Sequence, residues 1–220
     1  MIKKISQGGF TIIELLIATS VFGVILLIVT FSIIFISKLY INGFVQTQTQ
    51  NIAVSLSDEI SRDIEFSNPS DVIPDSVAPT TIGGLNYYHF CTESNLYGYS
   101  PGTYQSSSTP AFFQAPIASL PLTSCTLNGV GSLASIMGLI DYRGLLSNGM
   151  ELLNDPTASL PILHLQSNSG VYTILLKLVN DDANSGFLNG NNQCLSINLI
   201  PPDCATYNIN TSVYPGGGSL

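Results

Sequence analysis

From Phe10 to Ser37 the chain is almost wholly apolar, and Glu14 is the sole ionisable side chain in the run. Such a run predicts a helix roughly 42 Å long, enough to cross a hydrocarbon core with some tilt. Beyond Gly43 the pattern changes. Ile52, Leu56, Ile60 and Ile64 recur every four positions up to Phe66, with Ala53 on the same side. That spacing predicts an amphipathic helix with one buried face. Asp58 and Arg62 are four apart and can pair, for only a few tenths of a kcal/mol. Asn68-Pro69 is the expected stop. The reading is therefore a continuous helix, apolar over residues 10–37 and amphipathic over residues 38–68.

Past Pro69 the periodicity shortens towards that of strands. Candidate strands are Leu85–Cys91, Leu96–Ser100, Ser135–Tyr142, Pro161–Gln166, Val171–Val179 and Cys194–Ile200. Val171–Val179 is the clearest, rich in Val, Ile and Leu and bounded by Ser169-Gly170 and Asn180-Asp181-Asp182. Residues 101–132 are rich in Ser, Pro and Gly and read as an extended surface loop. The tail over 215–220, Pro-Gly-Gly-Gly-Ser-Leu, reads as flexible. The fold class is α+β: a long helix packed on an antiparallel sheet that makes up a β-rich head over 69–214.

Charge narrows the function classes. Only 9% of the residues are charged and the net charge is −8. Lys3, Lys4, Lys38, Arg62, Arg143 and Lys177 form no basic patch, so no nucleic-acid partner is expected. The acidic balance serves the solubility of an exposed domain. The four cysteines, Cys91, Cys125, Cys194 and Cys204, all lie beyond the apolar run. An even count in an exported domain favours disulfides, and four cysteines allow three pairings. Local pairing, Cys91–Cys125 and Cys194–Cys204, is the simplest. A zinc site is the rival, but no C-x-x-C pair exists and neither His89 nor His164 is suitably spaced.

The first nine residues, MIKKISQGG, carry two lysines and end in two glycines. An ordinary secretory signal places its small-residue cleavage site after the apolar core. Here the small-residue junction, Gly8-Gly9, comes before it. A cut there removes the charges and keeps the hydrophobic segment. Two N-terminal lysines against Lys38 on the far side put the N-terminus in the cytoplasm and the rest outside. Glu14 is the anomaly of the run, since a carboxylate inside a bilayer costs about 2.5–3.5 kcal/mol. It can sit near the membrane surface and reach water. Alternatively, a cut before Phe10 creates an α-amino group four residues before it, charged or nearly so at neutral pH. Amine and carboxylate could then neutralise each other within one chain or between neighbours.

The string Gly9-Phe10-Thr11-Ile12-Ile13-Glu14-Leu15-Leu16-Ile17-Ala18 resembles the class III signal of type IV pilins and type II secretion pseudopilins. The resemblance implies cleavage between Gly9 and Phe10 by prepilin peptidase, followed by N-methylation of Phe10. It also implies that Glu14 registers an incoming subunit against a neighbour's N-terminal amine. Other pilin or pseudopilin subunits, an assembly platform and a motor are the implied partners. Together with the helix, the likeness covers roughly residues 1–66. Many major pilins carry a proline within this helix, whereas here the first proline is Pro69, leaving Gly23 and Gly43 as the only helix weakeners. Leu56–Ile64 also resembles the helix end of larger minor pilins and J-type pseudopilins. The expectation is a minor pilin or pseudopilin, with a major pilin as runner-up.

Signals for catalysis are few. His89 and His164 sit in strand-like strings and read as structural. No G-x-S-x-G elbow and no phosphate-binding glycine loop appears. The expectation is no enzyme and no cofactor, against a rival reading as a membrane-anchored extracellular adhesin or enzyme. Asp181, Asp182 and Asn184 form a faint calcium candidate without the full loop pattern or its distal glutamate. Tyr87, Tyr88, Tyr97, Tyr99 and Tyr104 either fill a sheet face or form an adhesive surface.

Overall fold

The computed structural model describes residues 11–74, 79–106, 108–117, 125, 142–153, 163–165, 170–181 and 204–216. Two compact units make up the chain, Met1–Ile41 and Asn42–Leu220. Helix α1 (Ile12–Glu65) contributes its N-terminal part to the first and Asn42–Glu65 to the second. Proline is absent along its whole length, so nothing breaks its hydrogen-bond ladder. It ends three residues before Asn68 rather than at Asn68-Pro69. In that last turn the Ser67 hydroxyl donates to the Asp63 carbonyl. The Gly216 amide donates to the Glu65 carbonyl at 2.9 Å. The start of the expected flexible tail is thus held at the helix end, where it satisfies a carbonyl that would otherwise lack a partner.

Among the described residues the second unit carries two antiparallel sheets rather than one. The first is a five-stranded meander of β1 (Thr80–Ile82), β2 (Leu85–Cys91), β3 (Asn95–Tyr99), β4 (Phe112–Pro116) and β5 (Arg143–Gly144). The β1–β2 connection is Gly83-Gly84, with both glycines at positive φ. That left-handed geometry is one a side chain would resist. The second sheet centres on β8 (Tyr172–Asp181). One edge of β8 pairs with β6 (Met150–Leu152) and β7 (Leu163–Leu165), and the other with the ten-residue β9 (Cys204–Val213).

Alternation along the strands builds two layers of core. Ala53, Leu56, Ile60 and Ile64 of α1 are buried with Phe90, Tyr97, Tyr99 and Phe112 of the first sheet and Met150, Ile174, Leu176 and Leu178 of the second. The four-residue repeat read from sequence is this buried face. Each such aliphatic side chain contributes about 1.5–3 kcal/mol on full burial. On the other face of the first sheet, Ile82, Tyr87, Cys91, Leu96, Phe113 and Ala115 form a second cluster. Gly98 is opposite Phe113 in the β3–β4 register, and a Cβ built on it would lie 2.3 Å from the Phe113 ring. The strand therefore needs glycine there so that the ring can lie over it.

Several expectations require correction. Strand β4 falls inside the stretch read as a surface loop, because two phenylalanines and an alanine are enough to bury a short strand among serines and prolines. Strands β1, β5, β6 and β9 were not expected. The ion pair among the described residues joins Arg143 to Glu59, not Asp58 to Arg62, and so ties the β5 edge to the helix. The expected strands Cys194–Ile200 and, apart from Tyr142, Ser135–Tyr142 lie outside the described residues.

Candidate functional site

The N-terminal part of α1 has a surface opposite in character to that of a soluble helix. Its large side chains are exposed from Ile12 through Ile41, among them Ile13, Leu16, Phe22, Phe31 and Phe35. It is long and apolar enough to cross a membrane. The hydroxyls of Thr19, Ser20, Thr30 and Ser32 donate to the carbonyls of Leu16, Ile17, Leu26 and Ile28 at 2.8–3.0 Å. These polar atoms are satisfied within the helix itself, so the exposed surface is effectively hydrocarbon.

At the start of the helix, Thr11 and Glu14 close a reciprocal cap. The Thr11 amide and hydroxyl each donate to Glu14 Oε2 at 3.1 Å, and the Glu14 amide donates to Thr11 Oγ1 at 3.3 Å. This is the capping-box arrangement, Thr at N-cap and Glu at N3, which satisfies two otherwise unpartnered donors. Glu14 thus already has partners within its own chain. Sequence reasoning missed the role of Thr11, although the signal was present: T-x-x-E directly before an apolar run. Gly9 and Phe10 lie outside the described residues.

Elsewhere the nominated residues divide. Cys91 and Cys125 form a disulfide with Cα atoms 6.0 Å apart, the local pairing expected for them. Cys204 opens β9, and Cys194 lies outside the described residues. Asp181 ends β8, pairing in register with Cys204, while Asp182 and Asn184 lie outside the described residues. Among the described residues no group of three or more His, Cys, Asp or Glu is placed to hold a metal.

His89 is buried in β2, where desolvation pushes its pKa down, opposed in part by the hydrogen bond its imidazole donates to the Cys125 backbone carbonyl. His164 lies in β7. Four of the five nominated tyrosines, Tyr87, Tyr88, Tyr97 and Tyr99, lie in the first sheet. Tyr87, Tyr97 and Tyr99 are buried, and Phe90 stacks on Tyr97 with centroids 4.7 Å apart.

One polar cluster in the second unit was not foreseen. The Tyr97 hydroxyl, fully buried, donates to Asp63 Oδ2, and Asn95 Nδ2 donates to the same oxygen at 2.7 Å. Gln114 Nε2 donates to the Tyr97 oxygen at 3.1 Å, and Arg143 donates to Gln114 Oε1 at 3.0 Å. With the Arg143–Glu59 pair, this chain joins the helix to β3, β4 and β5. Burial, reinforced by Asp63, holds the Tyr97 phenol far above the usual tyrosine range. Its parts are dispersed in sequence, so no local motif marks it. It has the composition of a structural clasp.

Comparison with known proteins identifies the N-terminal signal. Residues 4–30 match the prokaryotic N-terminal methylation motif, the class III signal of type IV pilins and pseudopilins. No curated protein and no solved structure matches the chain. The matched segment spans Lys4, the Gly9-Phe10 junction, the Thr11–Glu14 cap and the apolar run as far as Thr30. Signal and exposed apolar helix together fit membrane anchoring.

Proposed function

We propose that the chain is a structural subunit of a type IV pilus-like or type II secretion filament, of the minor pilin or pseudopilin kind. Prepilin peptidase removes residues 1–9, and Phe10 becomes the methylated N-terminus. The lysines of the leader hold the N-terminus in the cytoplasm, so the head is displayed outside. Helices of like subunits then pack side by side through Phe10–Ser37. Lipid is already apolar, so packing rather than water exclusion supplies the gain. On assembly the Glu14 carboxylate exchanges its Thr11 partners for the α-amine of a neighbouring Phe10. Cys194 and Cys204 close a second disulfide. An uninterrupted helix and a large head favour a minor subunit or pseudopilin over a major pilin.

The single observation that carries this reading is the methylation motif set directly on a helix whose hydrocarbon surface is exposed. Mass spectrometry of the native chain tests it. The expected N-terminus is methylated Phe10, and Gly9→Val blocks processing. Normal cleavage of the Val variant, or a mature chain that keeps Met1, refutes the proposal. Abundance in sheared filaments decides the subtype, since dominance there marks a major pilin.

A further inference from the structure

Where α1 ends, unit Asn42–Leu220 gathers exposed apolar side chains and carboxylates. Phe66 follows the last helical residue and is 76% exposed, and Tyr214 is 60% exposed. They belong to the same end of the unit, because Gly216, two residues beyond Tyr214, donates to the Glu65 carbonyl. Ile73 joins them. Its backbone pairs with Cys91, and the neighbouring Val72 carbonyl accepts from the Tyr172 hydroxyl at 3.1 Å, Tyr172 being opposite Val213 in register.

Three exposed carboxylates lie at this end of the unit: Glu65, next to Phe66 in the chain, and Asp71 and Glu93, close to Asn68. Asn68 fixes the latter two, its side-chain amide donating to Asp71 at 3.3 Å and to Glu93 at 3.1 Å. The negative end of the helix dipole points here as well. Arg62 is the one exposed cation of the last turn, so the carboxylates outnumber it. An apolar surface at a negative end of the unit fits a partner that is apolar and carries a cation.

The chain supplies such a partner itself. Lys38 is the only Lys or Arg between Lys4 and Arg62. Phe35 and Ile41, three residues to either side of it, share its helical face and are exposed. We propose that the Phe66–Ile73–Tyr214 end of one copy is a docking surface for the Phe35–Lys38–Ile41 face of a second copy. Lys38 then lies against Glu65, Asp71 and Glu93. The two patches are different surfaces, so the contact is heterologous and propagates head to tail instead of closing a dimer. It rests on the filament reading but demands more, namely two copies adjacent in one assembly.

Photo-crosslinking in the full chain tests it. Phe66→p-benzoylphenylalanine changes an exposed position, so folding is undisturbed. Irradiated filaments are digested and the linked peptides mapped. The expected product joins position 66 to the peptide containing Phe35–Ile41 of a second copy. Lys38→Glu lowers its yield about fivefold, the scale of one exposed ion pair of about 1 kcal/mol. Adding Glu65→Lys to Lys38→Glu restores it. Crosslinks to lipid, to another protein or to other parts of the chain overturn the contact, as does a yield indifferent to Lys38→Glu. If the mature chain is present in the sheared fraction in those cases, the filament reading stands. If it is absent, that reading falls too.

Discussion

Replacing Tyr97 by Phe tests the clasp between helix and sheet with one atom. The ring stays buried against Phe90, so packing is kept. What is lost is a hydroxyl that donates to the Asp63 carboxylate and accepts from Gln114. A hydrogen bond to a charged group is worth about 1.5–3 kcal/mol, and a neutral one about 1 kcal/mol. Asp63 is only half-buried and keeps Asn95, so water recovers part of its loss. The expected destabilisation is about 2 kcal/mol, or roughly 4–8 °C in Tm for a unit of this size. Thermal unfolding followed by circular dichroism on the detergent-solubilised chain measures it. A double-mutant cycle with Asp63→Ala should return a coupling of at least about 1 kcal/mol. A Tyr97→Phe chain within about 0.5 kcal/mol of wild type, or strict additivity with Asp63→Ala, refutes the argument.

Three further outcomes follow from the same geometry. Cys91→Ser with Cys125→Ser opens a loop of sequence separation 34 and should cost about 4 kcal/mol on the chain-entropy account, measured by denaturant unfolding under oxidising conditions. Gly98→Val should destabilise by about 1–3 kcal/mol through overpacking against Phe113, and the added change Phe113→Ala should recover part of that loss. Tyr87 has its pKa pushed up to about 12 by burial, and Tyr97 is shifted in the same direction. Both phenols hold their protons in the folded chain where the unfolded chain, near 10, has released them. Stability should therefore be unaffected below pH 10 and fall above it, by about 1.4 kcal/mol per pH unit for each tyrosine. Tyr87→Phe should make that alkaline slope shallower in urea melts taken at successive pH values.

The parts of the fold that announce themselves in sequence are those with a regular period. Residues 10–37 can be read by composition alone, and the Ile52–Ile64 repeat by spacing. The processing signal is legible because a protease reads local sequence, so its residues are contiguous. Strand β9 also has a clean period of two. Ala205, Tyr207, Ile209, Thr211 and Val213 alternate with Thr206, Asn208, Asn210 and Ser212. Its asparagines and serine, read singly, are turn signals and mask that alternation. Strands β1, β5 and β6 are two or three residues long and carry no period. The Asp63–Tyr97–Gln114–Arg143 chain draws on four separated segments, and only the tertiary fold brings them together.

The inward-turned hydroxyls of Thr19, Ser20, Thr30 and Ser32 have a consequence for how such a rod behaves among its neighbours. A ladder of shared protons between rods would fix each one at a set height and resist withdrawal. With those protons returned to the rod's own carbonyls, forming any such rung first requires breaking an existing bond. Sliding along or turning about the long axis then meets only the fit of methyl groups and rings. In the filament proposed above, vertical alignment would then fall to features at the two ends of the run, the acid at Glu14 and the cation at Lys38.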